Sequence, residues 1–378
     1  MIGYASTRHG AILILAGVMP TMAVVALIPV LPLLIQEFAH APGASVLVPM
    51  AITIPALGVA LFSPVAGWLA DRLGRRLLLI ASLVGYTVVG LLPIALTDLH
   101  QILVARVLLG FAEAMIMTVS TTLIGDYFVG ERRERWVAIQ IAVASVSAIV
   151  LIAIGGALGE VFGSRGPFWL YVLALPVALA CAFILFEPDR TARADTPEKG
   201  FAQGIFGLVA ITFGVGFLFY TVIVQLGPLI VATGVTSPAV IGLAGAAANL
   251  GVTFGSILFG RLKALSGERL LATGLPLVAI GYIGLALSAE FYLTVAAAIV
   301  ICIGSGLMLP TTLAWVLRRL PPETRGRGTG LWTGAFFLAQ FVAPVAAAAL
   351  SGVLGGFPNL FLLFAVLAAT GAGAAFYR

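Results

Sequence analysis

The chain alternates between long apolar runs and short clusters of charged and turn-forming residues. Each run is about 20 residues or longer, which is the length that an α-helix needs to cross the hydrocarbon core of a bilayer. The runs predict twelve spans, near residues 11–36, 45–69, 77–97, 101–125, 136–160, 167–186, 204–232, 239–262, 269–289, 292–317, 328–352 and 358–376. Because lipid offers no partner to backbone N–H and C=O groups, we expect helices here rather than open strands.

The composition agrees with this pattern. Of the 378 residues, 61% are hydrophobic and only 9% are charged, whereas a soluble domain carries about a quarter of its residues as charged side chains. The polar residues are too few to cover a water-soluble globule of this size. We therefore predict an all-α integral membrane protein, embedded in the lipid bilayer, whose spans leave room only for short loops.

The basic residues indicate how the spans are oriented. If the N-terminus lies inside, 18 of the 20 Lys and Arg residues fall in the inside segments; Arg165 lies in an outer loop and Arg106 within a span. Inside loops of membrane proteins are enriched in Lys and Arg. We therefore expect both termini in the cytoplasm and a location in a cell membrane, such as the bacterial inner membrane. The net charge of +5 reflects this topology and does not indicate nucleic-acid binding.

The two halves of the chain resemble each other. One loop recurs 193 positions later, so that Gly67, Gly74 and Arg76 correspond to Gly260, Gly267 and Arg269. A second loop, 131–135, recurs at 323–327 with a glutamate followed by two arginines at alternate positions. The polar segment 187–200 lies between the copies. We predict a six-helix half over 1–186, a cytoplasmic linker over 187–200 and a second six-helix half over 201–378, the layout of parallel repeats in transporters.

Residues 67–76 (GWLADRLGRR) resemble the signature loop between spans 2 and 3 of the major facilitator superfamily, in its twelve-helix group of drug and solute:proton antiporters. The span number, the linker and the repeat extend this resemblance over the whole chain. It implies a monomeric secondary transporter that moves a small molecule by alternating access, with no enzymatic activity, cofactor or metal.

The signature loop and its neighbours predict a latch that holds the cytoplasmic ends of the helices together in one state. Its candidate residues are Gly67, Asp71, Arg72, Gly74, Arg75, Asp126, Glu131 and Arg133. Glycines permit close helix approach and a tight turn. Asp71 is expected to face a helix N-terminus, and the arginines to pair with Asp126 or Glu131. The alternative is that the loop only anchors the topology. In the second copy Ala264 replaces the aspartate.

The fourth predicted span carries Arg106, Gly110 and Glu113 in a pattern that resembles the span 4 motif of the family, whose arginine is linked to proton coupling. An ionisable residue at this depth is a functional hypothesis by default. Arg106 and Glu113 are seven residues apart, so they share a helix face but lie about 10 Å apart along the axis. We expect both to line one cavity, with Glu113 accepting and releasing protons. The alternative is a structural Glu113 and an Arg106 that braces the packing.

Other polar and aromatic residues within spans are candidates for a substrate cavity, namely Gln140, Tyr220, Gln225, Asn249, Trp315 and Gln340. Each is equally compatible with a hydrogen bond between helices or an anchor at the interface. A cavity of this kind suits a drug-like or amphipathic compound. Span 5 keeps a glycine pair, Gly155 and Gly156, but lacks the Gly-Pro that many antiporters of the family carry before it.

The sequence is compatible with three classes of function. Proton-coupled efflux of a drug-like compound is preferred, and uptake or proton-independent facilitated transport is the alternative because of the missing Gly-Pro. A membrane enzyme or sensor is the remote alternative, since no nucleophile, base or metal cluster converges in the sequence. ATP-driven transport is disfavoured because no Gly-x-x-x-x-Gly-Lys-Ser/Thr loop is present.

Overall fold

The computed structural model describes residues 6–188, 205–262, 264–319 and 325–376. Over these residues the chain is helical and contains no strand. The α-helices are α1 (Thr7–Val25), α2 (Leu31–Glu37), α3 (Ala44–Leu73), α4 (Arg75–Ala95), α5 (Leu99–Tyr127), α6 (Gly130–Phe162), α7 (Ala174–Ile184), α8 (Ile205–Ala232), α9 (Pro238–Leu262), α10 (Gly267–Leu287), α11 (Phe291–Arg319), α12 (Arg325–Val353) and α13 (Phe357–Phe376). Two 3₁₀ helices, η1 (Ile28–Val30) and η2 (Gly163–Leu173), precede α2 and α7.

The helices confirm the predicted all-α membrane fold. Within the described residues, 11 helical segments are long and apolar enough to cross a membrane. The longest, Gly130–Ile184, has 55 residues, which is enough for two crossings; it comprises α6 and the pair η2–α7. Every one of the twelve predicted spans therefore overlaps a helix. Most of the predicted linker, from residue 189 onward, lies outside the described residues, so the boundary between the halves stays a prediction.

Large apolar side chains cover the outside of the bundle. Leu61 is 61% exposed and Phe183 is 86% exposed, and Leu, Val and Phe side chains on most other helices behave likewise. Apolar surface on this scale is not found on soluble monomers. The hydrophobic surface fits a bundle surrounded by lipid.

The core is divided between the two parts of the chain. One cluster of buried apolar residues lies within 12–185 and gains only Val224 from the second part. A second lies within 215–368 and gains only Ile28 from the first part, and a small third one consists of Ile205, Leu208 and Val316 in the second part. Contacts between the parts run through α3 with α12, α6 with α9, and α2 and η1 with α8. Each six-helix unit thus packs its own core, as expected for a pseudo-repeat.

The two units approach each other most closely where α6 crosses α9. A Cβ atom added to Gly156 would lie 2.4 Å from the carbonyl oxygen of Pro238 and 2.9 Å from the Cα of Gly242, both on α9. Only glycine fits at such distances. This crossing lies far along α6 from Arg132 and Arg133, which mark what we call the arginine-rich end of the bundle. Towards that end, residues 131–150 are mostly exposed or half-buried, so the units pack more tightly at the opposite end.

Two predicted spans are not continuous α-helices, which corrects the sequence prediction. In span 1 the backbone tightens after α1, because the N–H of Leu27 donates to Val24 rather than to Ala23, and Pro29 follows within η1. In span 6 the 3₁₀ helix η2 contains Pro167. These breaks matter for the site, because they leave backbone carbonyls inside the membrane that need other donors.

Candidate functional site

Arg106 lies at the centre of a buried network in the first unit. It is only 1% exposed. Its Nε donates to the carbonyl of Ala51 (2.8 Å), and its Nη2 donates to those of Ala23 (2.6 Å) and Ile52 (3.0 Å). Its Nη1 donates to the hydroxyl of Tyr171 (2.5 Å). The guanidinium thus joins α5 to α1, α3 and η2.

The local sequence explains why these carbonyls are available. The helical partner of the Ala51 carbonyl would be the N–H of Pro55, which proline lacks. The helical partner of the Ala23 carbonyl would be the N–H of Leu27, which bonds Val24 instead. An arginine with five donors in a rigid fork can satisfy both groups at once. The geometry therefore favours the brace that the sequence left open as an alternative for Arg106.

Two tyrosines extend the network. Tyr171 also donates to the Ala23 carbonyl (3.2 Å), and Tyr86 on α4 donates to the carbonyl of Met19 (2.5 Å). The two rings lie 5.1 Å apart. A Cβ on Gly90 would lie 2.4 Å from the Tyr171 ring. Sequence reasoning missed both tyrosines, because nothing in their local sequence distinguishes them from other buried aromatics.

Glu113 lies on the same helix, two turns beyond Arg106. It is 2% exposed, and its Oε1 atom has no hydrogen-bond partner. The Arg106 guanidinium donates to backbone carbonyls and to the Tyr171 hydroxyl rather than to the Glu113 carboxyl. A small apolar crevice at Arg106, lined by Leu34, Phe38 and Phe168 among others, does not include Glu113. The two residues therefore do not share this crevice, and a common cavity for both stays a prediction.

At the arginine-rich end, the loop between α3 and α4 holds an ion-pair cluster. Arg75 contacts Asp126 at the end of α5, as the sequence predicted. It also contacts Asp71, which lies four residues before Arg75 at the end of α3 (3.3 Å). Gly74 between the helices has φ = +92°, a conformation that favours glycine. These contacts join α3, α4 and α5 within the first unit.

The carboxylate at the N-terminus of α4 is Glu187, not Asp71 as expected. Its oxygens accept from the backbone N–H groups of Arg75 (2.6 Å) and Arg76 (2.9 Å). The positive end of the helix dipole favours an anion there. Arg76 in turn donates to the carbonyl of Ala182 on α7. Glu187, which the sequence assigned to the linker, therefore packs with the first unit.

The remaining latch candidates occupy more open positions. Arg72 stacks over Trp68, with its Cζ 4.2 Å from the ring centroid. Glu131 and Arg133 are exposed in the first turn of α6. A Cβ on Gly67 would meet nothing within 4 Å, so close helix approach does not explain this glycine in the present state.

The cavity candidates divide into two groups. Tyr220 and Gln225 on α8 and Gln340 on α12 are buried, on the helices that contact the first unit. The other three have separate local contacts. Gln140 reaches Thr121 (3.4 Å) and Asn249 donates to Gly245 in its own helix (3.0 Å), while Trp315 packs against Gly267.

One polar contact between the units lies at the opposite end and was missed from the sequence. Glu160, near the end of α6, accepts from the Ser237 hydroxyl (2.7 Å) and from the N–H of Ala239 (3.3 Å) at the start of α9. The carboxylate thus caps a helix of the other unit. Its position in the last turn of a predicted span, close to the glycine pair, was the available signal.

Comparisons with solved structures support the fold. A bacterial homologue of the human lysosomal transporter Spinster, in an inward-facing and occupied conformation, superposes with a TM-score of 0.79 at 18% identity, covering 99% of this chain and 98% of that one. The nucleoside transporter NupG superposes with a TM-score of 0.74 at 10% identity over 97% and 99% of the two chains.

Curated relatives match over part of their length. The multidrug resistance protein B homologue of Mycobacterium tuberculosis is 31% identical over 166 residues, 42% of this chain and 30% of that protein. The tetracycline resistance protein, class H, of Pasteurella multocida is 25% identical over 192 residues, 50% of this chain and 48% of that protein. The matched regions thus span between about a third and a half of these relatives.

The family profile described as Major Facilitator Superfamily matches residues 13–235 and 208–378. Together these regions cover nearly the whole chain, and they overlap over residues 208–235. The chain therefore belongs to the major facilitator superfamily of membrane transport proteins.

Proposed function

We propose that this protein exports a drug-like or amphipathic organic compound in exchange for protons, by alternating access between its two units. The compound class and the direction are supported by the relatives, which are named for multidrug and tetracycline resistance. The proposal also places the arginine-rich end in the cytoplasm, because Lys and Arg concentrate in cytoplasmic loops. The protein would act as a monomer in a bacterial inner membrane.

The observation that carries the proton coupling is the setting of Glu113. Its carboxyl is buried within a span, and one oxygen lacks a partner. An ionised carboxylate is costly in such surroundings unless it is paired and hydrogen-bonded. Movement of Glu113 between water and this buried position is therefore tied to the gain and loss of a proton.

Arg106 has a different part in this scheme. Its four hydrogen bonds hold α1, α3, α5 and η2 together. We assign Glu113 the proton and Arg106 the framework that positions it.

The ion-pair cluster at the arginine-rich end acts as a latch in this scheme. Asp71, Arg75 and Asp126 join three helices of the first unit. When the cytoplasmic ends of the two units close, this preformed cluster presents a single charged surface to the second unit. Three further charged residues are exposed at the same end of the first unit, where they would meet the second unit on closure: Arg72, Glu131 and Arg133.

The test is proton movement in proteoliposomes that contain an internal pH dye. Wild type, Glu113→Gln and the matched control Glu290→Gln are challenged with tetraphenylphosphonium, tetracycline, norfloxacin and a sugar. Glu290 is exposed in a loop, so its variant should behave as wild type. We expect one of the drug-like compounds to drive an opposed proton flux that Glu113→Gln abolishes.

The other outcomes are equally informative. Proton and compound fluxes in the same direction would identify uptake by symport and contradict export. Compound flux without proton movement, unchanged in Glu113→Gln, would identify a facilitator and reduce Glu113 to a structural residue.

A further inference from the structure

An aromatic cluster lies where α8 meets α12 in the second unit. Trp332 and Phe336 are stacked with ring centroids 5.4 Å apart and an interplanar angle of 8°. The ring of Tyr220 lies 5.1 Å from that of Phe336 at 54°. The indole Nε1 of Trp332 donates to the Thr312 hydroxyl on α11 (3.0 Å). The rings are therefore held in place by three helices.

The cluster lies between two helices of the second unit that also contact the first unit. α12 packs against α3, and α8 packs against α2 and η1. The two helices are also in close contact with each other, because a Cβ on Gly216 would lie 3.0 Å from the Ala339 Cβ and 3.4 Å from the Phe336 ring. Trp332 and Phe336 are only half-buried, so part of their surface remains available to a ligand.

Gln340 adds a polar group to this surface. It follows Phe336 by one helical turn and Trp332 by two, so the three side chains lie along one side of α12. Gln340 is 5% exposed, and its Oε1 atom has no hydrogen-bond partner. A buried acceptor without a donor is unfavourable, and such groups in native structures call for an explanation. A hydrogen-bond donor on a bound ligand would provide this explanation.

We propose that Tyr220, Trp332, Phe336 and Gln340 form a subsite for a planar aromatic ring that carries an N–H or O–H donor. The proposal rests on the proposed transport function and defines its substrate class more narrowly. The stacked rings supply a flat contact surface, and the Gln340 carbonyl oxygen accepts from the donor. None of the four side chains is charged, so the subsite selects for shape and for the donor rather than for net charge.

The probes are 10-methylacridinium and 3,6-diamino-10-methylacridinium, two planar monocations that differ only in their amino donors. Their binding to purified protein in nanodiscs is measured by fluorescence anisotropy, with empty nanodiscs as the blank. No proton gradient is present, so the result does not depend on proton coupling. We expect wild type to bind the diamino compound roughly three- to tenfold more tightly, the usual effect of one buried hydrogen bond.

The variant Gln340→Met keeps the side-chain volume and removes the acceptor. It should lose the preference for the diamino compound while its affinity for 10-methylacridinium and its melting temperature do not fall. Gln340→Leu is the second variant, and Gln101→Met, in an exposed first turn of α5, is the matched control. Phe336→Leu should weaken the binding of both compounds about two- to tenfold. Phe183→Leu, on the lipid-facing surface, should leave the binding of both compounds unchanged.

A preference for the diamino compound that persists in Gln340→Met and Gln340→Leu would overturn the proposal. Failure of both compounds to bind wild type would also overturn it. If the expected binding pattern is found but the proteoliposomes show no proton flux, the subsite stands and proton-coupled export fails.

Discussion

The contact between α3 and α5 makes a quantitative prediction at Gly110. A Cβ atom at this position would lie 2.7 Å from the Pro55 carbonyl oxygen and 2.8 Å from the Pro55 Cα, where ordinary contact begins at 3.4 Å. Gly110→Ala therefore requires the two helices to separate by about 0.7 Å, the difference between 2.7 Å and 3.4 Å. Both neighbours are backbone atoms, so no side-chain rotation relieves the overlap.

The cost extends to Arg106, one turn before Gly110. A separation of that size would lengthen its bonds to Ala51 and Ile52, now 2.8 and 3.0 Å, beyond the normal range. Overpacking costs roughly 1–3 kcal/mol, and weakened bonds from a charged donor add to it. The intrinsic helical gain of Gly→Ala, about 0.5–1 kcal/mol, offsets part of this. We expect a net loss of about 1–3 kcal/mol.

The assay compares melting midpoints of purified variants in one detergent. Gly85→Ala on α4 is the matched control, because a Cβ there meets nothing within 4 Å, so only the helical gain applies and the midpoint should rise slightly. The reasoning is refuted if Gly110→Ala melts at or above wild type while Gly85→Ala behaves as expected.

Four further predictions follow from single contacts. Arg106→Lys should lower the melting midpoint by the equivalent of about 1.5–3 kcal/mol, because one ammonium group cannot reach carbonyls on α1 and α3 and the Tyr171 hydroxyl together; an unchanged midpoint would argue against the brace. Glu187→Gln should destabilise by about 0.3–1 kcal/mol at low salt and less at high salt; equal effects at both salt concentrations would exclude a charge–dipole origin. Gly67→Ala should leave the midpoint unchanged or higher, because a Cβ there meets nothing within 4 Å, but it should slow transport if the proposed latch closes over this position; full transport activity would contradict the latch. Glu160→Ala should shift spin-label distances between the ends of α6 and α9 towards longer values, and an unaltered distribution would show that the cap does not hold the units together.

Much of the fold could be predicted because lipid restricts the choice. A run of apolar residues in a bilayer has to be helical, so its length and its charged borders define the element. The predicted span 204–232, for example, is the helix Ile205–Ala232. The helix ends at the arginine-rich end were harder, since α6 begins at Gly130 rather than at residue 136. Its charged first turn lies outside the apolar run but continues the same hydrogen-bond ladder.

The candidate site was only partly accessible to sequence reasoning. Arg106 and Glu113 stand out because ionisable side chains are rare within spans, and Arg75 with Asp126 because opposite charges border adjacent spans. The partners of Arg106 do not stand out, because three of them are backbone carbonyls. One of these carbonyls could have been predicted as an acceptor, because Pro55 has no N–H group to donate to the Ala51 carbonyl in the helix. Glu187 was beyond reach, since it meets its helix across 112 residues of sequence.

The contacts of Glu187 also bear on the asymmetry between the two units. The second copy of the signature loop has Ala264 in place of the aspartate, so it lacks the acidic partner that Asp71 gives to Arg75. In the first unit the loop contacts Asp126 at the end of α5, Ala182 on α7 and Glu187 just beyond it. It therefore joins α3, α4 and α5 to α7, the last helix of the unit, at the point where the chain departs for the predicted linker. A unit closed on itself in this way can move as one body, and Glu131 and Arg133, which are exposed on α6, are the charges that the proposed latch would bring to the second unit. The loss of the aspartate from the second copy is consistent with a latch that needs to be built on one side only.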